Sequence, residues 1–495
     1  MKGYLTALTA MLLAVLLPLW LLLIEGSRIS GMKARAEMVM DTGMNSILAE
    51  YQREMLSYYD LFFFDTSYCS PLPSRAKTAE HLRSYLNKNL EPVEDLFSWT
   101  LLAPTGGNMS ATEVTIDEVR YAMDGAGAVL RDQILQYELD LWGIAGLVGT
   151  PEQKASKEWE DSGIEGMLDN HYDQLWKKAQ EDLEPYRYGR ASEEEGGGEI
   201  PALENPADYL FSLGGAAVIG MVLSDGTSVS EEDVYVDHYY SAGRAKKGTV
   251  ILGNMEHPGW NGTMFSRLFI LEYLTHHFTS YQTDEKVPEH PSRLSCQLEY
   301  ILAGKGSDKA NLEETLGKLL AVRQAVNTAY LLTDSEKQGK LQVAASAIAV
   351  AASAITMSPV PTEPIKMSLT MAWGLLESIQ DLKILCSGGK ISLLKAQGKW
   401  RSDLDSIKNP GGSVHADPGD EHGLTYNQYV GILLLLQNET EQMGRVADLM
   451  EMDIRMTKGN EFFRIDACAD RLVGRARIGR EGTWFYIRRE YGYEG

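Results

Sequence analysis

The sequence predicts an α+β, mainly α, protein. One long N-terminal helix starts as a transmembrane segment, continues as an amphipathic one and leads into a large helical domain with small β elements. Three observations predict it. Residues 4–24 (YLTALTAMLLAVLLPLWLLLI) are apolar and uncharged, and at 1.5 Å per residue they span roughly 30 Å, a bilayer's hydrocarbon thickness. Beyond them Ile29, Met32, Ala36, Val39, Met40, Met44, Ile47, Leu48, Tyr51, Met55 and Tyr58 recur at steps of three and four, with no proline between Pro18 and Pro71. That spacing predicts one continuous helix with one apolar face. The same period returns through most of the C-terminal half.

A secretory signal peptide is the competing reading of residues 4–24. The run exceeds a typical h-region, and no small-x-small site closes it, so the expectation is an uncleaved anchor. Pro18 frees a backbone carbonyl in mid-helix. Glu25 and Arg28 close the apolar run as interfacial caps, or as groups that register the helix against neighbours in an assembly.

The chain has 495 residues, 44% hydrophobic, which is length for two or three domain-sized units and enough to bury a core. Its formal net charge of −23 disfavours nucleic acid and anionic headgroup surfaces as partners. Four cysteines (Cys69, Cys296, Cys386, Cys468) form no CxxC pair. They are either four buried thiols or, outside the cytoplasm, two disulfides with three possible connectivities.

Residues 61–64 (LFFF) read as a buried strand or as the docking point of the long helix. Residues 74–90 read as helix, 101–104 and 113–116 as short strands, and 117–147 as a helix weakened near Gly125 and Gly127. Residues 151–185 are polar, an exposed helix or hairpin. Residues 188–205, with Glu193 to Glu195 beside Gly196 to Gly198, are a linker that buries too little to repay its ordering. Residues 234–240 alternate weakly, as a strand would, and 264–278 read as helix.

Leu312, Leu316, Leu319, Val322, Val326 and Tyr330 define an amphipathic helix. Ser335 with Gln338, and Thr425 with Gln428, have capping-box spacing. Residues 341–357 (LQVAASAIAVAASAITM) carry no charge; at this length, with four polar side chains, a helix buried in a bundle is expected rather than a second span. Residues 365–385 read as buried helix, 424–456 as one or two helices, and 462–465 and 483–487 as closing strands. The domain expectation is an anchor (1–25), an amphipathic extension (26–60), a first α+β region (61–187), the linker (188–205) and a second, mainly helical region (206–495).

Catalytic chemistry leaves no signature. His276 and His277 form the one histidine pair, with Glu272 upstream but no HExxH; one ring is expected in the core and the other in solvent. Residues 387–392 (SGGKIS) lack the spacing of a phosphate loop and read as a turn. No GxSxG elbow or cysteine nucleophile signature occurs. The expectation is no catalytic residue, no cofactor and no metal site.

Gly3 before the apolar run, Pro18 within it, and Glu25 with Arg28 closing it resemble the N-termini of TadE/TadG-like pseudopilins of tight-adherence (Flp) pilus systems. In the soluble part, residues 49–51 (AEY), 59–63 (YDLFF), 298–305 (LEYILAGK), 332–338 (LTDSEKQ) and 423–426 (GLTY) resemble an uncharacterised bacterial family found with such pilus clusters. The resemblance implies a non-enzymatic, single-pass accessory pseudopilin or assembly component, its large domain outside the cytoplasm. Its partners would be the bilayer, through residues 4–24, and other pilus or secretion components. It also implies Gly3 as a processing point, although Leu8 stands where prepilins cleaved after glycine usually carry Glu. Arg28, Lys33 and Arg35 by themselves favour a cytoplasmic domain under the positive-inside rule; the expectation here follows the resemblance. The alternative is a membrane-tethered envelope enzyme such as a wall hydrolase, or an adhesin or sensor.

Overall fold

A computed structural model describes residues 2–68, 70–71, 74–91, 109–146, 151–164, 178, 181–182, 220–223, 229–259, 262–282, 290–356, 359–408 and 419–493. The expected linker 188–205, the strand 101–104 and Cys69 lie outside the described residues.

Helix α1 (Lys2–Leu48) runs unbroken for 47 residues with Pro18 inside it. Its segment Ala7–Leu48 is long and apolar enough to cross a membrane. Residues 7–24 are exposed, whereas Met32, Ala36, Val39, Met40, Met44, Ile47 and Leu48 are buried. The expected continuation to Tyr58 is corrected. The chain turns at Tyr51, which bridges to Phe64, and Gln52 N donates to Phe63 O at 2.7 Å. This pairing takes backbone groups that a longer helix would need. The face resumes in α2 (Arg53–Tyr59), stopped by Asp60 in the left-handed conformation (φ 55°).

The sheet joins chain segments far apart in sequence. Its central strand β3 (Cys468–Arg480) pairs antiparallel with β2 (Ser110–Tyr121) on one side. On the other it pairs with β4 (Thr483–Gly492) and the two-residue β1 (Phe64–Asp65). Helix α3 (Arg75–Leu90), capped by Ser74, packs with α1 against this sheet. Two glycines permit the approach. A Cβ on Gly43 would meet Leu86 Cδ2 at 2.8 Å, and one on Gly474 would meet Met44 Sδ at 2.6 Å.

Three strand expectations are corrected. The strand at 113–116 extends to Tyr121, because its ladder with β3 continues, and α4 (Asp124–Gly146) starts only afterwards. Asp124 fixes that junction by accepting from Tyr121 N and Gly253 N, both at 2.8 Å. Residues 465–467 form a 3-10 turn, and the strand follows them. Residues 236–245 coil through 3-10 and π turns rather than extending, because Ser241 and Arg244 reach down to Asp448 and Glu451.

The larger core is helical. It gathers α4, α5 (Pro151–Ser162), α6 (Met264–His277), α7 (Gln297–Ala303), α8 (Asp308–Thr333), α9 (Ser335–Thr356), α10 (Thr362–Cys386), α11 (Tyr426–Leu436) and α12 (Glu439–Arg455). Helix α5 was expected to be exposed, yet Ala155 and Trp159, four residues apart, enter the core. Helix α9 packs in the helical bundle, as expected, and is not among the candidate membrane spans of the described residues. Only its Leu341, Ala345, Ala349 and Ala352 stripe is buried; Val343 and Val350 are 72% and 71% exposed. Thr425 and Gln428 form the expected capping box. At α9 the capping role passes from Ser335 to Asp334, which accepts from Lys337 N at 3.0 Å. Asn438, whose carboxamide accepts from Thr440 N and Glu441 N, separates α11 from α12. Residues 387–392 form the expected turn, with Gly388 at φ 86°. Cys296, Cys386 and Cys468 are buried, Cys296 and Cys386 as free thiols.

Met44 is fully buried where α1, α3 and β3 meet. Met44→Ala is expected to cost about 2–5 kcal/mol, read as a lower urea midpoint with unchanged slope.

Candidate functional site

The anchor residues named from the sequence all lie on α1, which also carries Gly3. Arg28 Nη1 donates to Glu25 Oε2 at 3.4 Å, an exposed pair one turn apart. In water such a pair is worth little. Pro18 lies seven residues earlier, so nothing brings it to the pair except the shared helix. These residues mark a boundary on a rod and do not form a pocket.

A polar cleft of about 750 Å³ opens in the helical domain. It lies between the end of α8, the first turn of α9, Trp373 of α10 and the loop 397–403. The stretch 332–338, singled out in the sequence, supplies Thr333 to Lys337 of the lining. Trp400 forms an aromatic wall, stacked on Tyr330 at 5.7 Å and met edge-on by Trp373 at 5.4 Å. Lys337 Nζ stands 5.5 Å from both the Tyr330 and Trp400 rings. Rim charges alternate: Asp334 pairs with Lys337 at 3.4 Å and Glu336 with Lys340 at 2.9 Å. Ser402 Oγ and Trp400 Nε1 are buried without a hydrogen-bond partner.

A buried ion network holds the cleft loop in place. Arg323 donates to Asp381 Oδ2 through Nε (3.1 Å) and Nη2 (2.9 Å), and to the carbonyls of Ser392 and Leu393. Lys395 Nζ bridges Glu377 and Asp381, both at 2.7 Å. Glu377 accepts from the backbone N–H groups of Arg401 and Ser402. Arg401 also donates to Asp420 at 2.8 Å. Burial alone would raise both aspartates. Arg323 and Lys395 instead hold Asp381 below the usual range, and the Ser392 amide and Arg401 pull Asp420 down to about 2. Lys395→Met leaves two buried carboxylates short of a cation and is expected to cost about 3–5 kcal/mol, measured by urea denaturation.

A second buried set lies between α2, α7, α11 and α12. Tyr59 Oη donates to Asp453 Oδ2 (2.8 Å), Tyr300 Oη to Asp448 Oδ2 (2.9 Å) and Tyr426 Oη to Glu299 Oε1 (2.8 Å). Three of the stretches quoted from the sequence, 59–63, 298–305 and 423–426, thus each supply a tyrosine that donates to a buried acid. Burial pushes Glu299 and Asp448 up to about 7 and Asp453 up to about 6.

The histidine pair divides as expected. His277 is buried, stacked on Tyr273 at 4.0 Å and 3.2 Å from Asp60, while the His276 side chain is 36% exposed. Among the described residues, no three His, Cys, Asp or Glu side chains converge in a geometry that could hold a metal ion.

A profile described as "Family of unknown function (DUF5702)" matches residues 196–479, more than half of the chain. The chain belongs to DUF5702. No curated protein and no solved structure matches it. The DUF5702 region holds the cleft, its ion network and all but Tyr59 of the buried tyrosine–acid set. It stops short of α1 and β4.

Sequence reasoning missed the cleft and both networks. Arg323 and Asp381, or Tyr59 and Asp453, are far apart in a chain with 69 acidic residues. The signals that could have found them are local: acids at buried positions of apolar helix faces, such as Asp381 in α10 and Asp448 in α12.

A carboxylate whose folded value exceeds its unfolded value binds its proton more tightly when folded. Stability is therefore expected to fall as pH rises from the ordinary 3.8–4.5 towards about 7, and to go on falling to about 8 through Glu138, which burial and then Glu272 push up that far. His277, lowered by burial, acts in the opposite sense below its ordinary 6.5. Asp448→Asn isolates the acid contribution: its plot of melting temperature against pH should be flatter than that of the native chain.

Proposed function

We propose that this DUF5702 chain is a non-enzymatic, membrane-anchored accessory pseudopilin or assembly component of a tight-adherence pilus or related secretion system. It would be single-pass, with the large domain outside the cytoplasm. The observation that carries this reading is the continuity of α1. The helix passes from an apolar run straight into a buried position, with Met32 at 0% exposure only eight residues beyond Ile24. A tethered enzyme works equally well on a loose leash. A helix locked into the domain passes any tilt or displacement of the anchor to the domain. The resemblance of Gly3, Pro18, Glu25 and Arg28 to pseudopilin N-termini supplies the rest.

The polar cleft favours a second reading, a tethered ligand sensor or envelope enzyme. It offers an aromatic wall and unpartnered buried donors, which suit an oxygen-rich ligand.

Inserting a flexible Gly-Ser segment after Ser30 separates the two readings. Assembly through a rigid rod predicts that pilus or secretion components no longer co-purify with the chain, although it stays in the membrane and folds. Full retention of those partners would overturn the assembly reading. Impermeant thiol labelling of Ser30→Cys on intact protoplasts tests the side of the membrane: protection until lysis would place the domain in the cytoplasm.

A further inference from the structure

The turn of the β3–β4 hairpin ends in aromatic and cationic side chains whose exposure the fold does not explain. Tyr486 is 69% exposed. The Arg477 guanidinium lies 4.7 Å from the Trp484 ring centroid and 5.7 Å from that of Tyr486, and also pairs with Glu113 at 2.7 Å. Trp484 pairs across the hairpin with Gly479, and the turn itself is flanked by Arg480 and Thr483. A lone exposed aromatic is ordinary, but a Trp–Arg–Tyr stack at a hairpin tip is a contact surface.

Its height along α1 follows from three contacts. Arg489 Nε donates to Asp41 Oδ1 at 2.8 Å, and Tyr493 Oη donates to Leu48 O at 2.5 Å. Strand β4 therefore ascends in the same direction as α1. Trp484 precedes Arg489 by five residues, about 16 Å of strand, equivalent to about eleven residues of helix. That places it level with α1 near residue 30. Gly474 gives an independent measure. It faces Met40 and Met44, and Gly479 lies five residues farther down β3, at the same level as Trp484. Burial of α1 begins there too: Arg28 and Gly31 are half-covered and Met32 is fully buried.

The apolar run ends at Ile24, so the hairpin tip stands about 9 Å beyond it, and the headgroup layer is roughly 5–8 Å thick. We infer that Trp484, with the Arg477 guanidinium stacked on it, rests on the phospholipid headgroup layer beside α1, Tyr486 standing two strand residues farther out, and gives the domain a second contact with the bilayer. The chemistry fits: indole and phenol rings favour the interface, and arginine reaches phosphate oxygens while its stem stays on an aromatic face. Two separated contacts fix the domain's azimuth and tilt, which a single helix does not. This inference rests on the membrane reading of α1.

The test uses the full chain in phosphatidylcholine–phosphatidylglycerol nanodiscs, with a nitroxide either on the headgroup or deep on the acyl chain. Difference emission between native and Trp484→Phe chains isolates Trp484, and Trp20→Phe isolates Trp20 in the apolar run. The expected result is that headgroup nitroxide removes most of the Trp484 emission and deep nitroxide spares it, while deep nitroxide quenches Trp20. Tyr486→Trp in the Trp484→Phe chain should be quenched by the headgroup nitroxide less than Trp484 is, because it stands two strand residues farther out; equal or stronger quenching there would overturn the orientation. Trp20 quenched with Trp484 unaffected overturns the hairpin contact alone. Neither quenched overturns the membrane reading as well. A Trp484 signal that follows protein concentration rather than the lipid label assigns the tip to a second copy of the chain and overturns the inference.

Discussion

One contact organises the molecule: the methionine-rich face of α1 pressed against Gly474 of β3, while Gly43 of α1 itself lets α3 close in beside it. Gly474 and Gly43 carry no side chain where Met44, Leu82 and Leu86 close in. That absence lets a helix backbone approach a sheet closely enough to be gripped. Methionine's flexible thioether fills the irregular gap left between them. Because an α-helix kinks sharply only where its hydrogen-bond ladder is interrupted, gripping residues 32–48 sets the axis of α1 back as far as Pro18.

The domain uses charge differently at different depths. On the outer face of the sheet, arginines of β3 and β4 meet acids of β2, as in Arg475–Asp117 and Arg488–Glu118, both exposed. Such pairs select register more than they stabilise. Inside the helical core, Arg323, Lys395, Glu377 and Asp381 are paired out of water and leave few alternatives for the loop they hold. Among the described residues no salt bridge reaches Glu299 or Asp448, which accept from tyrosine hydroxyls instead, so proton binding takes over part of that role. An acidic surface and a core able to hold protons therefore belong to the same chain.

Much of the helical architecture was legible, because period and capping are local. Thr425 and Gln428 announce α11, and residues 312–330 announce α8. The sheet was harder. Strand β3 reads CADRLVGRARIGR, where arginine and glycine hide a clean alternation: Leu472, Ala476 and Ile478 face in, while Arg475 and Arg477 face out. Its strand character comes from β2 and β4 on either side, and a linear reading cannot supply partners more than 300 residues away. Helix α9 joins the bundle as its composition suggests, but which side it buries was not legible: an alanine-rich run looks apolar all round, yet alanine is small enough to sit in water. The cleft was invisible because its walls come from four separate elements.

The sheet's connectivity also dictates when it can exist. Its central strand begins only at Cys468, long after α1 and β2 are made. As the polypeptide leaves the ribosome, the sheet-facing side of α1 and the edge of β2 that receives β3 stay uncovered until Cys468–Arg480 has emerged. The sheet closes only then, and a chain truncated before β3 would lack it altogether. Emergence of β3 and locking of the N-terminal rod become a single event.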